Sequence, residues 1–297
     1  MQTEPEPEVA PGPGHTTSEA TEVDSDLPTK LDQMKGHCVA NYADSVMKLN
    51  DEEIEWMTPE VLWIFYRARA TDGERQSIIK KALNWRIAHR SILCGQEARC
   101  CNACQENSRS HDARLFGEDA DGDHVFMNCF ALPRNLAPSA ITAHMACLFE
   151  RALREVPAKS STGGLNPPHV RKWSWVIDLY GFGFRHLDPR TSIRLLELMQ
   201  VAYRGRLKHM LIVDAPVMFW GLWRAVKSFI KPATADLIEF VEWGPAAVAR
   251  YRELFGNDIS DQLLAEGREN RDTEARAKKK WTTFYAGAAL ERASIYG

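Results

Sequence analysis

Cys94, Cys100, Cys101, Cys104 and His111 crowd one stretch of the chain, and thiols beside an imidazole are the ligands that soft metals take. Cys101-x-x-Cys104 has the spacing of half a zinc site. No second Cys-x-x-Cys or Cys-x-x-His half follows, and Cys100 adjoins Cys101 too closely to share one tetrahedron easily. A redox or lipidated cysteine pair is the alternative, but ordinary loop thiols are the reading adopted, and no metal is assigned. Asp119, Asp121 and Asp123 invite a calcium loop, which needs Gly at its sixth position and Glu at its twelfth. Those places hold His124 and Phe130, so a turn at Asp121-Gly122 is expected instead, opening a strand that buries Phe126, Phe130 and Leu132. Asp178 and Asp214 both fall near strand ends, where paired carboxylates can do acid–base work. No His, Ser or Cys converges on them in the pattern, and each is expected to cap a turn or pair with an Arg. No nucleophile elbow, phosphate-binding glycine loop or metalloprotease helix is present, and Gly181-Phe182-Gly183 lacks the third glycine of a dinucleotide fingerprint. No enzymatic activity is assigned.

The elements that position these residues centre on Trp173 to Ile230. Trp173, Trp175, Ile177 and Leu179 alternate with Ser174, Val176, Asp178 and Tyr180, a strand with one aliphatic-aromatic face. Thr191 or Ser192 then caps a helix after Pro189, and a second strand runs from His209 to Asp214. Pro216 opens a further helix. Strand, helix, parallel strand is the unit of an α/β sheet. Before it, Leu31 to Ile92 reads as a helical lobe, with Thr58-Pro59 as one helix start and Asp72 before Glu74 as another. A helix from about Pro138 to Val156 follows the first strand, and Leu237 to Val241 reads as strand or helix. The expected architecture is α/β: a helical N-terminal lobe, then a mainly parallel β-sheet with flanking helices.

The helix from Pro216 to Ile230 is unusual. Phe219, Trp220, Leu222, Trp223, Val226 and Phe229 leave only a narrow polar edge at Arg224, Lys227 and Ser228. It is either a central core helix or a lid over a hydrophobic cavity that also presses into a bilayer.

The chain has 297 residues, 44% of them apolar, enough for one large core and a small second lobe. A net charge of −3 gives no argument for nucleic acid as a partner. No apolar run is long enough to span a membrane, and the acidic, Pro-rich start is unlike a targeting segment. With an odd number of cysteines, these features point to a cytoplasmic protein with free thiols. Residues 1–30 carry seven acidic residues against one Lys and are expected to be disordered. The expected divisions are a helical lobe over 31–95, a Cys-rich connector over 96–115, an α/β domain over 116–265 and a charged helical tail over 266–297. The basic Lys278 to Lys280 beside Trp281, Phe284 and Tyr285 could touch an anionic membrane, but aromatics docked on the body are the favoured reading.

Four stretches in order resemble the CRAL-TRIO family of lipid-binding and lipid-transfer proteins. Leu62, Phe65 and Arg67-Ala68-Arg69 are similar to its Leu-x-x-Phe-x-x-Ala-Arg, and Ala82-Leu83-Asn84-Trp85-Arg86 to its Ala-Leu-x-Trp-Arg. Trp175 to Phe182 resembles its Val-x-Asp-x-x-Gly strand and turn. Tyr203 to Pro216, with Trp223, Lys227, Phe229, Pro232 and Thr234, resembles its Tyr-Pro-Glu-Arg-Leu, a strand ending Asn-Ala-Pro, and a gate helix ending Lys-Pro-Phe. The resemblance implies a CRAL-TRIO fold whose sheet floors a hydrophobic pocket, lined by Trp175, Ile177, Leu179, Leu211 and Val213. It implies a gate of Phe219, Trp220, Leu222, Trp223, Val226 and Phe229. It makes Arg206 and Thr234 the headgroup residues. In phosphatidylinositol-binding members a Glu and a Lys also hold the headgroup, and those positions are Gly205 and Leu237 here. The Asn before Ala-Pro is Asp214. The expectation is therefore cytosolic binding and intermembrane transfer of a phospholipid or other hydrophobic ligand, with no cofactor beyond that lipid and a transient membrane partner. The alternative is a lipid-sensing module that signals to a protein partner.

Overall fold

In a computed structural model of the chain, residues 25–93, 101–130, 132–155, 169–287 and 289–290 are described. Most of the expected N-terminal tail, together with Cys94 and Cys100, lies outside them; helix α1 begins at Leu27, inside the stretch read as tail.

The lobe is built of α1 (Leu27–Ala43), α2 (Asp51–Trp56), α3 (Pro59–Tyr66), α4 (Asp72–Ala88) and α5 (Arg90–Leu93). Thr58 caps α3 by accepting from the Val61 amide, with Pro59 in the first turn, where its missing N–H costs nothing. At α4 the cap is Thr71, in a reciprocal box with Glu74, one residue before the expected Asp72. Leu31, Met34, Cys38, Met57, Leu62, Phe65, Ile79 and Leu83 form the lobe's own core.

A short α6 (Asn102–Glu106) leads to β1 (Arg114–Glu118), β2 (His124–Cys129), β3 (Trp173–Asp178), β4 (Leu207–Val213) and β5 (Ile238–Val241). These five strands lie in sequence order; β2 to β5 are parallel and β1 is an antiparallel edge. The β1 strand is absent from the sequence reading; it pairs with β2 through the turn at Asp121-Gly122, where Gly122 has φ 83°. The aspartates that suggested calcium surround an ammonium instead: Lys208 Nζ lies 2.8, 2.7 and 3.0 Å from carboxylate oxygens of Asp119, Asp121 and Asp123.

The crossovers carry α7 (Pro138–Glu155), α8 (Pro189–Glu197) with a wider turn at Leu198–Ala202, α9 (Phe219–Lys227) and α10 (Pro232–Ala235). Asp188, not Thr191 or Ser192, caps α8. The long α11 (Pro245–Arg271) bends at Gly256 and is followed by α12 (Thr273–Lys278). The boundary expected at 265/266 thus falls inside α11.

Both faces of the sheet are covered, as a parallel sheet requires. Phe116, Val125, Val176, Leu211 and Val213 pack beneath α11 on Ala247, Tyr251, Phe255 and Leu263. On the other face Phe126, Trp173 and Trp175 meet α7, where Phe149 stacks on Trp173 at 4.5 Å between ring centres. The C-terminal aromatics dock: Phe284 and Tyr285 are buried, Leu115 bonds the Phe284 carbonyl and the Ala286 amide bonds Leu115.

Candidate functional site

Between the sheet and α9 lies an apolar cavity of about 310 Å³. Strand β3 contributes Trp175 and Ile177, and β4 contributes Leu207, Met210 and Ile212. The α8 segment supplies Leu195, Leu196 and Met199 as a wall. From α9 come Phe219, Leu222, Trp223 and Val226 as a roof. Trp175 and Ile177, like Met210 and Ile212, are every second residue of their strands, as the pleat dictates, while an irregularity in the pairing separates Leu207 from Met210.

That pleat corrects part of the expected lining. Trp175 pairs with Met210 and Ile177 with Ile212, so past the irregularity that follows Leu207 the cavity side of β4 is Met210 and Ile212. Leu211 and Val213 point the other way, into the core under α11. Leu179 clusters with Phe182 and Ile212 and does not line the cavity. Sequence pattern fixes the phase of β3 through its single apolar face, but Met210, Leu211, Ile212 and Val213 are all apolar. A strand buried on both sides carries no phase signal of its own.

The six residues expected as a gate divide into two groups. Phe219, Leu222, Trp223 and Val226 face inward. Trp220 lies 4.5 Å from the Phe240 ring and keeps 40% of its surface exposed, while Phe229 is 62% and Val217 89% exposed. The helix therefore covers a cavity with one face and shows large apolar side chains to solvent on another. Gln200 Nε2 donates to the Phe229 carbonyl at 3.1 Å, tying the end of α9 to the wall.

Of the headgroup pair, Thr234 lines the cavity and Arg206 does not. Arg206 is buried, donates to Glu60 Oε1 at 2.7 Å and to the Arg171 carbonyl at 2.9 Å, and so joins α3 to the domain. The cations lining the cavity are half-buried Arg204 and exposed Lys231, at its solvent side, and Thr234, Gln200 and Ser192 add polar groups to the lining. Among the described residues neither cation is paired with a carboxylate. Arg204 repulsion, then burial, lowers Lys231, and burial, then the nearby Arg69, lowers Arg204. Uncompensated cations facing an apolar hole are a site for an anion with an apolar tail. Sequence reasoning passed over Arg204 because it occupies the Pro position of the family pattern. Gly205 has φ 70°, and a Cβ there would meet Ile64 Cγ2 at 3.2 Å, which opposes a glutamate at this place.

Two buried ionic assemblies brace the site. Arg86 forks onto Glu150 at 2.8 and 3.2 Å, and the Tyr203 hydroxyl donates to Glu150 at 2.6 Å. Burial alone would raise the Glu150 carboxyl, but the Arg86 charge and hydrogen bond, the Tyr203 hydroxyl and the Arg154 charge together outweigh it and the net shift is downward. Burial and the Glu150 charge hold the Tyr203 phenol well above its ordinary value, so it remains a donor. Behind the sheet, Arg271 bonds Asp178 at 2.6 and 3.0 Å and Asp214 at 2.6 Å. The remaining lone pairs of the aspartates take the amides of Tyr180 and Trp243. Both carboxylates are thus committed to an Arg and a turn.

An α/β domain whose parallel sheet floors an apolar cavity roofed by an amphipathic helix is the class of protein these features define. Residues 112–247 match the family model of the CRAL/TRIO domain. The chain is 31% identical over 80 residues to the CRAL-TRIO domain-containing protein T23G5.2 of Caenorhabditis elegans, a match covering 26% of this chain and 11% of that protein. The crystal structure of Sfh5 is similar in fold, with a TM-score of 0.52 at 16% identity over 84% of this chain and 99% of that one. Residues 112–247 thus carry a CRAL/TRIO domain, of a family known for binding lipids.

Proposed function

We propose that this protein binds one lipid with an acidic headgroup and carries it between membranes, making and breaking no bond. The observation that supports this reading is the pairing of an apolar cavity with uncompensated Arg204 and Lys231 at its mouth. An acyl chain over Trp175, Ile177, Met210 and Ile212 leaves water at roughly 25 cal/mol per Å² of surface buried. The headgroup then meets the two cations and the Thr234 hydroxyl, while Leu237, where phosphatidylinositol-binding members have Lys, presents only apolar surface. At about 310 Å³ the cavity is near the lower end of the ~300–1,000 Å³ typical of small-molecule sites. A two-chain lipid therefore requires α9 to swing outward, and the exposed Trp220 on it, with exposed Val217 and Phe229 just beyond its two ends, is placed to enter a bilayer as it does. No described helix is long and apolar enough to cross a membrane, so contact at the surface is the mode proposed.

The test is native mass spectrometry of the purified chain, extraction of anything bound, and transfer between donor and acceptor vesicles. A stoichiometric acidic lipid that moves between vesicles supports the proposal. A lipid bound but never transferred replaces carrier with sensor, and an empty protein that ignores a broad lipid panel defeats both.

A further inference from the structure

Away from the cavity, Cys101, Cys104, His111 and His144 are all buried, and one ligand atom of each lies within 4.8 Å of every other. The second half of the Cys-x-x-Cys is not local in sequence: His111 comes from the segment before β1 and His144 from α7. Cys101 Sγ lies 3.4 Å and Cys104 Sγ 3.3 Å from His111 Nδ1, and Cys104 Sγ lies 3.6 Å from His144 Nδ1. A tetrahedral zinc with Zn–S of ~2.3 Å and Zn–N of ~2.0–2.1 Å has S···N edges of about 3.5 Å.

The hydrogen bonding of the His144 ring agrees. His144 Nε2 lies 2.9 Å from the Ala113 carbonyl, which can only accept. Nε2 therefore carries a proton, and in the neutral tautomer Nδ1 turns its lone pair toward the sulfurs, the arrangement a metal-binding histidine adopts. Hydrogen bonding serves the cluster poorly, because Nδ1 of His111 offers one lone pair or one proton to two converging sulfurs. A cation at the centre satisfies all four atoms. Two thiolates and two neutral imidazoles cancel the charge of a zinc ion, which suits a buried position. A two-iron cluster with its cysteines on one iron and its histidines on the other would separate sulfur from nitrogen, whereas here sulfur and nitrogen are in direct contact.

We propose that Cys101, Cys104, His111 and His144 bind one structural zinc ion. With four protein ligands the site is closed and leaves no position for a substrate. It would clamp the entry segment of the domain onto α7, replacing the loop-thiol reading suggested by the sequence.

The test is the metal content of the full-length chain purified under reducing conditions, with cobalt(II) exchanged for zinc as a spectroscopic probe. One zinc per chain is expected, and a thiolate-to-cobalt charge-transfer band at equal stoichiometry. Both should vanish in Cys101→Ser/Cys104→Ser and persist in Cys38→Ser, whose thiol lies in the lobe core. If the double variant does not fold, the unaltered chain decides alone. A folded, reduced chain that takes up neither zinc nor cobalt overturns the proposal, as does full metal content in a folded double variant. Lipid occupancy is measured separately, so an empty cavity with a filled zinc site leaves this inference standing.

Discussion

Adjacent residues on β4 should respond in opposite ways to the same substitution. Met210 faces the cavity opposite Trp175, and Leu211, 1% exposed, faces the core beneath α11. Met210→Trp places an indole in a hole of about 310 Å³, where space already exists. Its stability cost should stay below about 1.5 kcal/mol, the range of tolerated apolar exchanges. Bound lipid should fall at least tenfold, about 1.4 kcal/mol of lost affinity. Leu211→Trp forces the same indole against the packed residues under α11 and should cost about 1–3 kcal/mol or more. Leu211→Ala, which leaves a void instead, should cost about 2–5 kcal/mol. Urea titration reads the stability, and native mass spectrometry after lipid loading reads occupancy. A Leu211→Trp protein that folds normally and excludes lipid, beside a Met210→Trp protein that is unstable yet fully loaded, would refute the assignment of faces.

Charge reversal at Arg204 or Lys231 should weaken retention of acidic lipids about tenfold per cation while sparing neutral ones, measured by competition between vesicle types. Arg206→Ala should instead destabilise by about 1–3 kcal/mol in urea, because it leaves Glu60 without its 2.7 Å partner. Val217→Asp with Phe229→Asp, both on the exposed edge, should leave cavity occupancy unchanged and reduce vesicle co-sedimentation. Glu150→Ala removes the carboxylate partner of the buried Arg86 and should cost about 3–5 kcal/mol by chemical denaturation. Burial raises the Cys38 thiol to about 11 from 9.0, so its alkylation near pH 8 should run about 100-fold slower than that of an ordinary thiol. Its folded value lies above the unfolded one; its contribution to stability is therefore complete below about pH 9 and lost as pH rises through 11.

The Ala-Leu-Asn-Trp-Arg stretch in α4 shows how far a motif reaches without coordinates. Its pattern marks a helix of the lobe and a resemblance; that Arg86 forks onto Glu150 of α7 is visible only once the lobe and domain are packed together. Arg206 is the converse case. Its place in a motif suggested a ligand contact, and packing turned it inward to Glu60. The aspartates at strand ends fared better, because a carboxylate beside a turn has few partners other than amides and guanidinium groups. Asp178 and Asp214 found both.

The sequence by itself determined the lobe, the alternation of strand and helix, the parallel sheet and an apolar helix after Pro216. These follow from local periodicity, caps and turns, which act over a few residues. Tertiary structure alone decided which side of β4 meets the cavity, because a strand apolar on both faces has no preferred phase until its neighbours pack. It also decided which arginine stands at the mouth. And it brought His144 to the Cys-x-x-Cys, since a cluster assembled from α6, the β1 approach and α7 has no spacing to read along the chain.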